Sequence, residues 1–119
     1  MKKKRILVAD DDPAIVDSIK YMLEDEGYEV ETTVDGETVG KMFEDQPDLL
    51  LLDIWMSGQD GRDICRALKA QETTKHIPII MISANKDTEK IAKEAGANDF
   101  VGKPFDIEDL LNKIKQQLN

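Results

Sequence analysis

The 119-residue chain carries a single cysteine, Cys65. One thiol can neither close an internal disulfide nor build a cysteine-based zinc site, so Cys65 is expected as a small helix residue. Basic residues are also short: 16 Lys and Arg stand against 25 Asp and Glu, a formal net charge of −9. Binding to a phosphate backbone depends on Lys and Arg displacing counterions, so direct recognition of DNA or RNA by this chain is not expected. Long apolar runs are missing too. The basic start Met1-Lys2-Lys3-Lys4-Arg5 leads only into Ile6-Leu7-Val8-Ala9 before three aspartates, whereas a signal peptide needs about 7–15 apolar residues there. No stretch approaches the roughly 20 apolar residues of a membrane span. These absences point to a cytoplasmic protein with no membrane partner. The phosphate-cradling elements G-x-G-x-x-G and G-x-x-x-x-G-K-[ST] are absent, as are low-complexity segments and long linkers.

What is present is an unbroken alternation. With 40% hydrophobic and 34% charged residues, the composition is that of a globular domain, and the length suits one domain over residues 1–119. Ile6-Leu7-Val8-Ala9 is too short for a helix and reads as a buried strand. Pro13 opens a helix whose Ile15, Ile19, Met22 and Leu23 recur at helical spacing up to Gly27. Glu29 to Val34 alternates as an edge strand would, ending at Asp35-Gly36, and a short helix follows around Thr38 to Asp45. Leu49-Leu50-Leu51-Leu52 ends at Asp53; after a loop from Trp55 to Asp60, a helix runs from near Gly61 to Ala70. Ile79-Ile80-Met81-Ile82 ends at Ser83, a helix from about Asp87 to Ala95 stops at Gly96, and Asp99 to Gly102 forms a last short strand before Lys103-Pro104. The final helix places Ile107, Leu110, Leu111, Ile114 and Leu118 on one stripe. Five strands alternating with five helices predict an α/β fold with a parallel sheet. Three runs that are apolar at consecutive positions require cover on both faces. That favours a flavodoxin-like doubly wound sheet of order 2-1-3-4-5 over a closed barrel, which needs eight units.

In such a sheet ligands bind beyond the carboxyl ends of the strands. Those ends carry Asp10, Asp11 and Asp12 on the first strand, Asp53 on the third, Ser83 on the fourth and Lys103 after the fifth. Central strands lie about 4.8 Å apart, so Asp10, Asp11 and Asp53 converge on one crevice. Two like charges 4 Å apart repel by about 4 kcal/mol at an effective dielectric near 20. Either a carboxyl takes up a proton or a divalent cation sits between them, and hard oxygen ligands with open positions suit Mg2+. Each residue also has a plainer use. Aspartates before Pro13 cap helices, Asp53 could end a strand at a turn, Ser83 could cap the next helix, and Lys103 could be a solvated amine. Together, a cation site, a carboxylate nucleophile, a hydroxyl and an ammonium are the parts that phosphoryl transfer needs. His76 precedes Pro78, away from the strand ends, and reads as a surface residue.

In this order the residues resemble a two-component response-regulator receiver domain, single-domain and chemotaxis-regulator-like, over essentially the whole chain. The resemblance rests on Ile6-Leu7-Val8-Ala9-Asp10-Asp11-Asp12-Pro13, on Leu49-Leu50-Leu51-Leu52-Asp53-Ile54-Trp55-Met56 with Gly61 downstream, on Pro78-Ile79-Ile80-Met81-Ile82-Ser83-Ala84, and on Lys103-Pro104-Phe105. It implies that Asp53 accepts a phosphoryl group from a histidine kinase or a histidine phosphotransfer protein. It implies that Asp11, Asp53 and the backbone carbonyl of Trp55 bind Mg2+, with Asp10 acting through water. Ser83 would hydrogen-bond the phosphoryl group and Lys103 would pair with it, while the Lys103-Pro104 peptide would be cis. Phe100 would be the aromatic that turns inward as Ser83 moves toward the phosphate; taken alone it is an ordinary core aromatic. Ser57 stands where the family usually has proline. Trp55 and Asn85 fall at positions that modulate the phosphoaspartate lifetime, and the bulk of Trp55 would screen attacking water. Such a receiver is a switch and not a turnover enzyme. The face of the last two helices and the last strand would change its affinity for a downstream protein target or for a second copy of the chain. Whether the chain stands alone or is part of a longer protein is left open.

Three rivals share the pattern in part. A haloacid-dehalogenase-type phosphatase would make Asp10 the nucleophile through its D-x-D spacing with Asp12, leaving Asp53 without a role. A flavodoxin-type FMN carrier would need a phosphate where the first strand ends in three carboxylates. A binding module that has lost phosphorylation would have no use for Asp10, Asp11, Asp53, Ser83 and Lys103 together.

Overall fold

The apolar runs beginning at Ile6, Leu49 and Ile79 form the three central strands of one sheet. The computed structural model describes residues 3–34, 46–56, 59–84 and 86–118. The Asp35-Gly36 turn, the helix expected around Thr38 to Asp45, Ser57 and Asn85 lie outside the described residues. Within them the order is β1 (Arg5–Ala9), α1 (Pro13–Asp25), β2 (Glu29–Thr33), β3 (Leu49–Asp53), β4 (Trp55–Met56), β5 (Gln59–Asp60), α2 (Gly61–Ala70), β6 (Ile79–Ser83), α3 (Thr88–Ala95), β7 (Asp99–Gly102) and α4 (Ile107–Leu118). The sheet is parallel, in the order β2-β1-β3-β6-β7. This is the doubly wound, flavodoxin-like order expected. The stretch from Trp55 to Asp60, expected as a loop, instead contains a small antiparallel ribbon, with Trp55 opposite Asp60 and Met56 opposite Gln59.

Period-two alternation of side chains splits each central strand between two layers. Leu7, Ala9, Leu50, Leu52, Ile79 and Met81 face α2 and α3, where Cys65, Leu68, Ala92 and Ala95 meet them. Ile6, Val8, Leu49, Leu51, Ile80 and Ile82 face α1 and α4, against Ile19, Leu23, Leu110 and Ile114. Cover on both faces is why β3 and β6 carry no polar residue before their last position and β1 is apolar from Ile6 to Ala9. β2 is an edge strand: Val30 turns in, while Glu29 and Glu31 stay exposed. Arg5 reaches Glu31 at 2.8 Å across that edge, a pairing of the kind that adds little stability.

The helix ends follow their residues. The Asp12 side chain caps α1 by accepting from the Ala14 N–H at 3.0 Å, with Pro13 in the first turn. α1 and α3 run into Gly27 and Gly96, whose φ of 96° and 88° only glycine adopts readily. The α4 stripe is buried at Leu110 and Ile114, but Ile107 is 44% exposed. It sits in the first turn, beside an open groove that it lines with Asp17, Ser18, Tyr21 and Met22. Among the described residues no helix is long and apolar enough to cross a membrane.

Gly61 anchors the segment after β3. Its N–H donates to the Ile54 carbonyl at 2.5 Å. A Cβ at this position would collide with the Asp53 carbonyl oxygen and lie 2.9 Å from the Ile54 Cα. The Gly61→Ala variant is therefore expected to lose about 1–3 kcal/mol, the usual cost of forcing a methyl group into a closed site. Urea unfolding measures it, and an unchanged midpoint would show that the segment yields freely.

Candidate functional site

The parallel sheet brings the ends of β1, β3, β6 and β7 to one edge, and each delivers its polar residue there. Asp10 follows β1 and is fully buried. Its N–H donates to the Thr33 carbonyl at 3.1 Å, its Oδ1 accepts from the Asp12 N–H at 3.0 Å, and its Oδ2 accepts from Lys103 Nζ at 2.8 Å. Asp53 ends β3 at 7% exposure, with Lys103 Nζ 3.6 Å from its Oδ1. Asp11 is exposed at the mouth. Carboxylate oxygens of Asp10, Asp11 and Asp53 all lie within 4.8 Å of one another.

The three consecutive aspartates therefore divide their tasks. Asp12 caps α1, as the plainer reading allowed, while Asp10 and Asp11 join Asp53. Ser83 ends β6, buried, in register with Gly102 of β7. Its carbonyl accepts from the Lys103 N–H at 2.8 Å, which fixes where the lysine leaves the strand. The Lys103-Pro104 peptide is cis.

Electrostatics sharpens this arrangement. Burial pushes the Asp53 carboxyl up from 3.8 to about 6, and the charges of Asp10 and Asp11 add to the effect while Lys103 opposes it. Burial alone would lower the Lys103 ammonium. Its hydrogen bond to Asp10 and the two facing carboxylates outweigh that and hold it above its ordinary value. Three carboxylates with one ammonium leave a surplus of negative charge on hard oxygen donors. Such a set fits Mg2+, which takes one or two carboxylates and keeps several waters.

Other singled-out residues fall at varied distances from the cluster. Trp55 is 58% exposed and offers no side-chain ligand, so its expected contribution rests on its backbone carbonyl. Its ring carries the Arg62 guanidinium 5.2 Å from the centroid. Asp60 grips that guanidinium through both carboxylate oxygens, with Nη2 to Oδ2 at 2.7 Å, and accepts from the Arg62 N–H at 2.9 Å. Sequence reasoning missed this clamp. The available signal was Asp60 before Gly61, a helix cap, and nothing in the spacing announced a ring beneath Arg62. Phe100 is half-buried against the α2–α3 layer. His76 is exposed, and Cys65 is a buried helix residue whose thiol burial pushes up to about 11.

Comparison with known proteins adds independent observations. The family model for the response regulator receiver domain matches residues 6–115. The DNA-binding dual master transcriptional regulator RpaA of Synechocystis is 39% identical over 117 residues, covering 96% of this chain and 48% of that protein. The chain thus spans about half the length of this curated relative. The receiver domain of a sensor histidine kinase from Pseudomonas aeruginosa, solved with a magnesium ion coordinated in its active-site cleft, superposes with a TM-score of 0.88. It is 30% identical, over 98% of this chain and 98% of that one. The response regulator TrrA of Thermotoga maritima, solved in complex with Mg2+ and BeF, gives a TM-score of 0.85 at 35% identity, over 97% of this chain and 99% of that one.

The raised Asp53 carboxyl carries a stability consequence. Its folded value, about 6, lies above its ordinary 3.8. The stability it contributes is therefore fully present below about pH 4 and lost as pH rises through about 6. With divalent cations chelated, Asp53→Asn is expected to exceed the wild type at pH 7.5 by on the order of 2–3 kcal/mol. The difference should close near pH 4. Urea midpoints at both pH values check this; equal stabilities at pH 7.5 would contradict it.

Proposed function

The chain belongs to the response regulator receiver family of two-component systems, and from that premise we propose that Asp53 is its phosphoacceptor. The Asp53 carboxylate attacks phosphorus of a phosphohistidine on a histidine kinase or phosphotransfer protein. An O–P bond forms, the N–P bond breaks, and the imidazole leaves with a proton. The Lys103 ammonium, 3.6 Å from Asp53, is in position to pair with a phosphoryl oxygen, and the Ser83 hydroxyl donates to another. Asp11, Asp53 and the Trp55 carbonyl would hold Mg2+, with Asp10 behind them through water. When bound, the ion neutralises charge on the phosphoryl oxygens and favours ionised Asp53. The magnesium ion of the Pseudomonas receiver and the Mg2+–BeF complex of TrrA support this assignment.

One observation carries the choice of nucleophile. Asp10 is fully buried with one oxygen held by the Asp12 N–H and the other by Lys103, which argues against its attacking anything as the phosphatase reading requires. The carboxylates at the end of β1 equally disfavour a flavin phosphate. The protein then acts in the cytoplasm as a switch, not as a turnover enzyme, signalling to a downstream protein target or by pairing with a second copy. With a net charge of −9, direct DNA contact is not assigned to this chain, whatever the remainder of RpaA contributes in that protein.

Intact-mass analysis with Mg2+ and a small phosphoramidate donor tests the reading. A single labile phosphoryl adduct is expected on the wild type, absent with chelator and absent in Asp53→Asn. An adduct that survives in Asp53→Asn and disappears in Asp10→Asn would transfer the role to Asp10. No adduct at all would leave a silent binding module. Mg2+ titrated against the fluorescence of Trp55, the single tryptophan, should bind more weakly as pH falls below about 6, where protons hold Asp53.

A further inference from the structure

Trp55 stands between two buried anchors. Ile54 donates its N–H to the Ile82 carbonyl at 3.2 Å and accepts from the Gly61 N–H. Met56 is buried in the same layer as Cys65 and Leu68. The Trp55 side chain itself is exposed, so core packing does not decide its rotamer. Its backbone pairs with Asp60 in the β4–β5 ribbon, but a ribbon of two residues a side is marginal by itself.

The contacts that hold the ring close on themselves. The Arg62 guanidinium lies 5.2 Å from the ring centroid, a cation–π contact. Asp60 fixes that guanidinium in turn, with Nε 3.0 Å from each carboxylate oxygen and Nη2 2.7 Å from Oδ2. Asp60 is also the residue opposite Trp55 in the ribbon, and its Oδ1 accepts from the Arg62 N–H at 2.9 Å, capping α2. The circuit runs from Trp55 through Arg62 to Asp60 and back across the ribbon. Arg62 sits in the first turn of α2, where a helix dipole disfavours a cation. Asp60 neutralises it there, and a guanidinium whose edge is taken by a carboxylate still has a face to offer a ring.

A side-chain rotamer and the backbone dihedrals of the same residue restrict one another. Locking the Trp55 ring therefore narrows the orientations open to the Trp55 carbonyl. We propose that Arg62, set by Asp60, is a positioning residue for Mg2+: by gripping the Trp55 ring it holds that residue's carbonyl ready for the ion. The inference rests on the assignment of Asp11, Asp53 and the Trp55 carbonyl as the Mg2+ ligands. Asp53 is steadied by other means, because its backbone is pressed by Gly61. A ligand held in place before the ion arrives gives up less freedom on binding, so loosening it weakens the complex.

The test is calorimetric titration with MgCl2 at neutral pH, with urea midpoints measured on the same proteins. Trp55→Leu removes the ring while keeping the carbonyl and the charge, and should bind Mg2+ roughly two- to fivefold more weakly, the worth of an exposed cation–π contact. Trp55→Phe, whose ring a guanidinium still covers, should recover most of the affinity. Arg62→Lys keeps the charge without the fork and should weaken binding too. Combined with Trp55→Leu it should weaken binding no further, because residues that act as one unit do not add. Wild-type affinity in Trp55→Leu overturns the proposal whatever its urea midpoint, since a clamp that only stabilises the fold moves the midpoint alone. Losses that add in the double variant overturn it as well. In both cases the Mg2+ assignment survives on the wild-type titration. A wild type that binds no Mg2+ overturns the proposal and the assignment together.

Discussion

The ammonium of Lys103 is the only positive charge placed between Asp10 and Asp53 among the described residues, and the site is organised around it. Everything beneath that edge is apolar: Leu49 to Leu52 and Ile79 to Ile82 are fully buried. A carboxylate buried directly after such strands needs hydrogen-bond donors or a cation, and Asp10 has both, the Asp12 N–H and Lys103. Lys103 satisfies Asp10 at 2.8 Å but stands 3.6 Å from Asp53. Burial, with the charges of Asp10 and Asp11 added, raises the Asp53 carboxyl and Lys103 only partly opposes it, whereas that of Asp60, gripped by Arg62, falls. The apolar layers on both faces supply the stability that lets one edge keep this repulsion. The edge thereby keeps a surplus of negative charge on oxygen donors.

Position at that edge is set by backbone more than by side-chain packing. Asp10 is tied by its N–H to Thr33, Lys103 by its N–H to Ser83, and Ile54 by its N–H to Ile82 at 3.2 Å. Gly61 presses against the Asp53–Ile54 backbone from the far side. The Asp53 carboxylate is therefore held between a strand and a close-packed glycine, and Trp55, next but one in sequence, is braced by Arg62 and Asp60. On the β7 side, Lys113 Nζ donates to the Phe100 carbonyl at 2.6 Å and lies 4.6 Å from the centroid of that ring.

Much of this was legible in the sequence because parallel strands covered on both faces must be continuously apolar, so Ile6, Leu49 and Ile79 mark themselves. Once the strands are placed, topology alone gathers Asp10, Asp53, Ser83 and Lys103 at one edge. Other features left no trace. Asp10, Asp11 and Asp12 are chemically identical, so which one caps and which ones cluster follows only from the chain path at the start of α1. The β4–β5 ribbon involves residues with no strand pattern. Arg62 over Trp55 and Lys113 round the β7 edge depend on long side chains crossing between elements, which no periodicity encodes. Ile107 shows the converse failure: it belongs to the α4 stripe, yet its place in the first turn leaves it exposed.

The lone cysteine acquires a use from its burial. Cys65 is wholly buried on the sheet-facing side of α2, and burial holds its thiol up at about 11, so at neutral pH it is both shielded and scarcely ionised. An alkylating reagent meets it only in the moments when α2 lifts from the sheet, and the modification rate then counts those openings. α2 begins at Gly61, directly against the Asp53 backbone, so the same helix borders the carboxylate cluster. The molecule thereby carries its own single-site record of how often that layer comes apart.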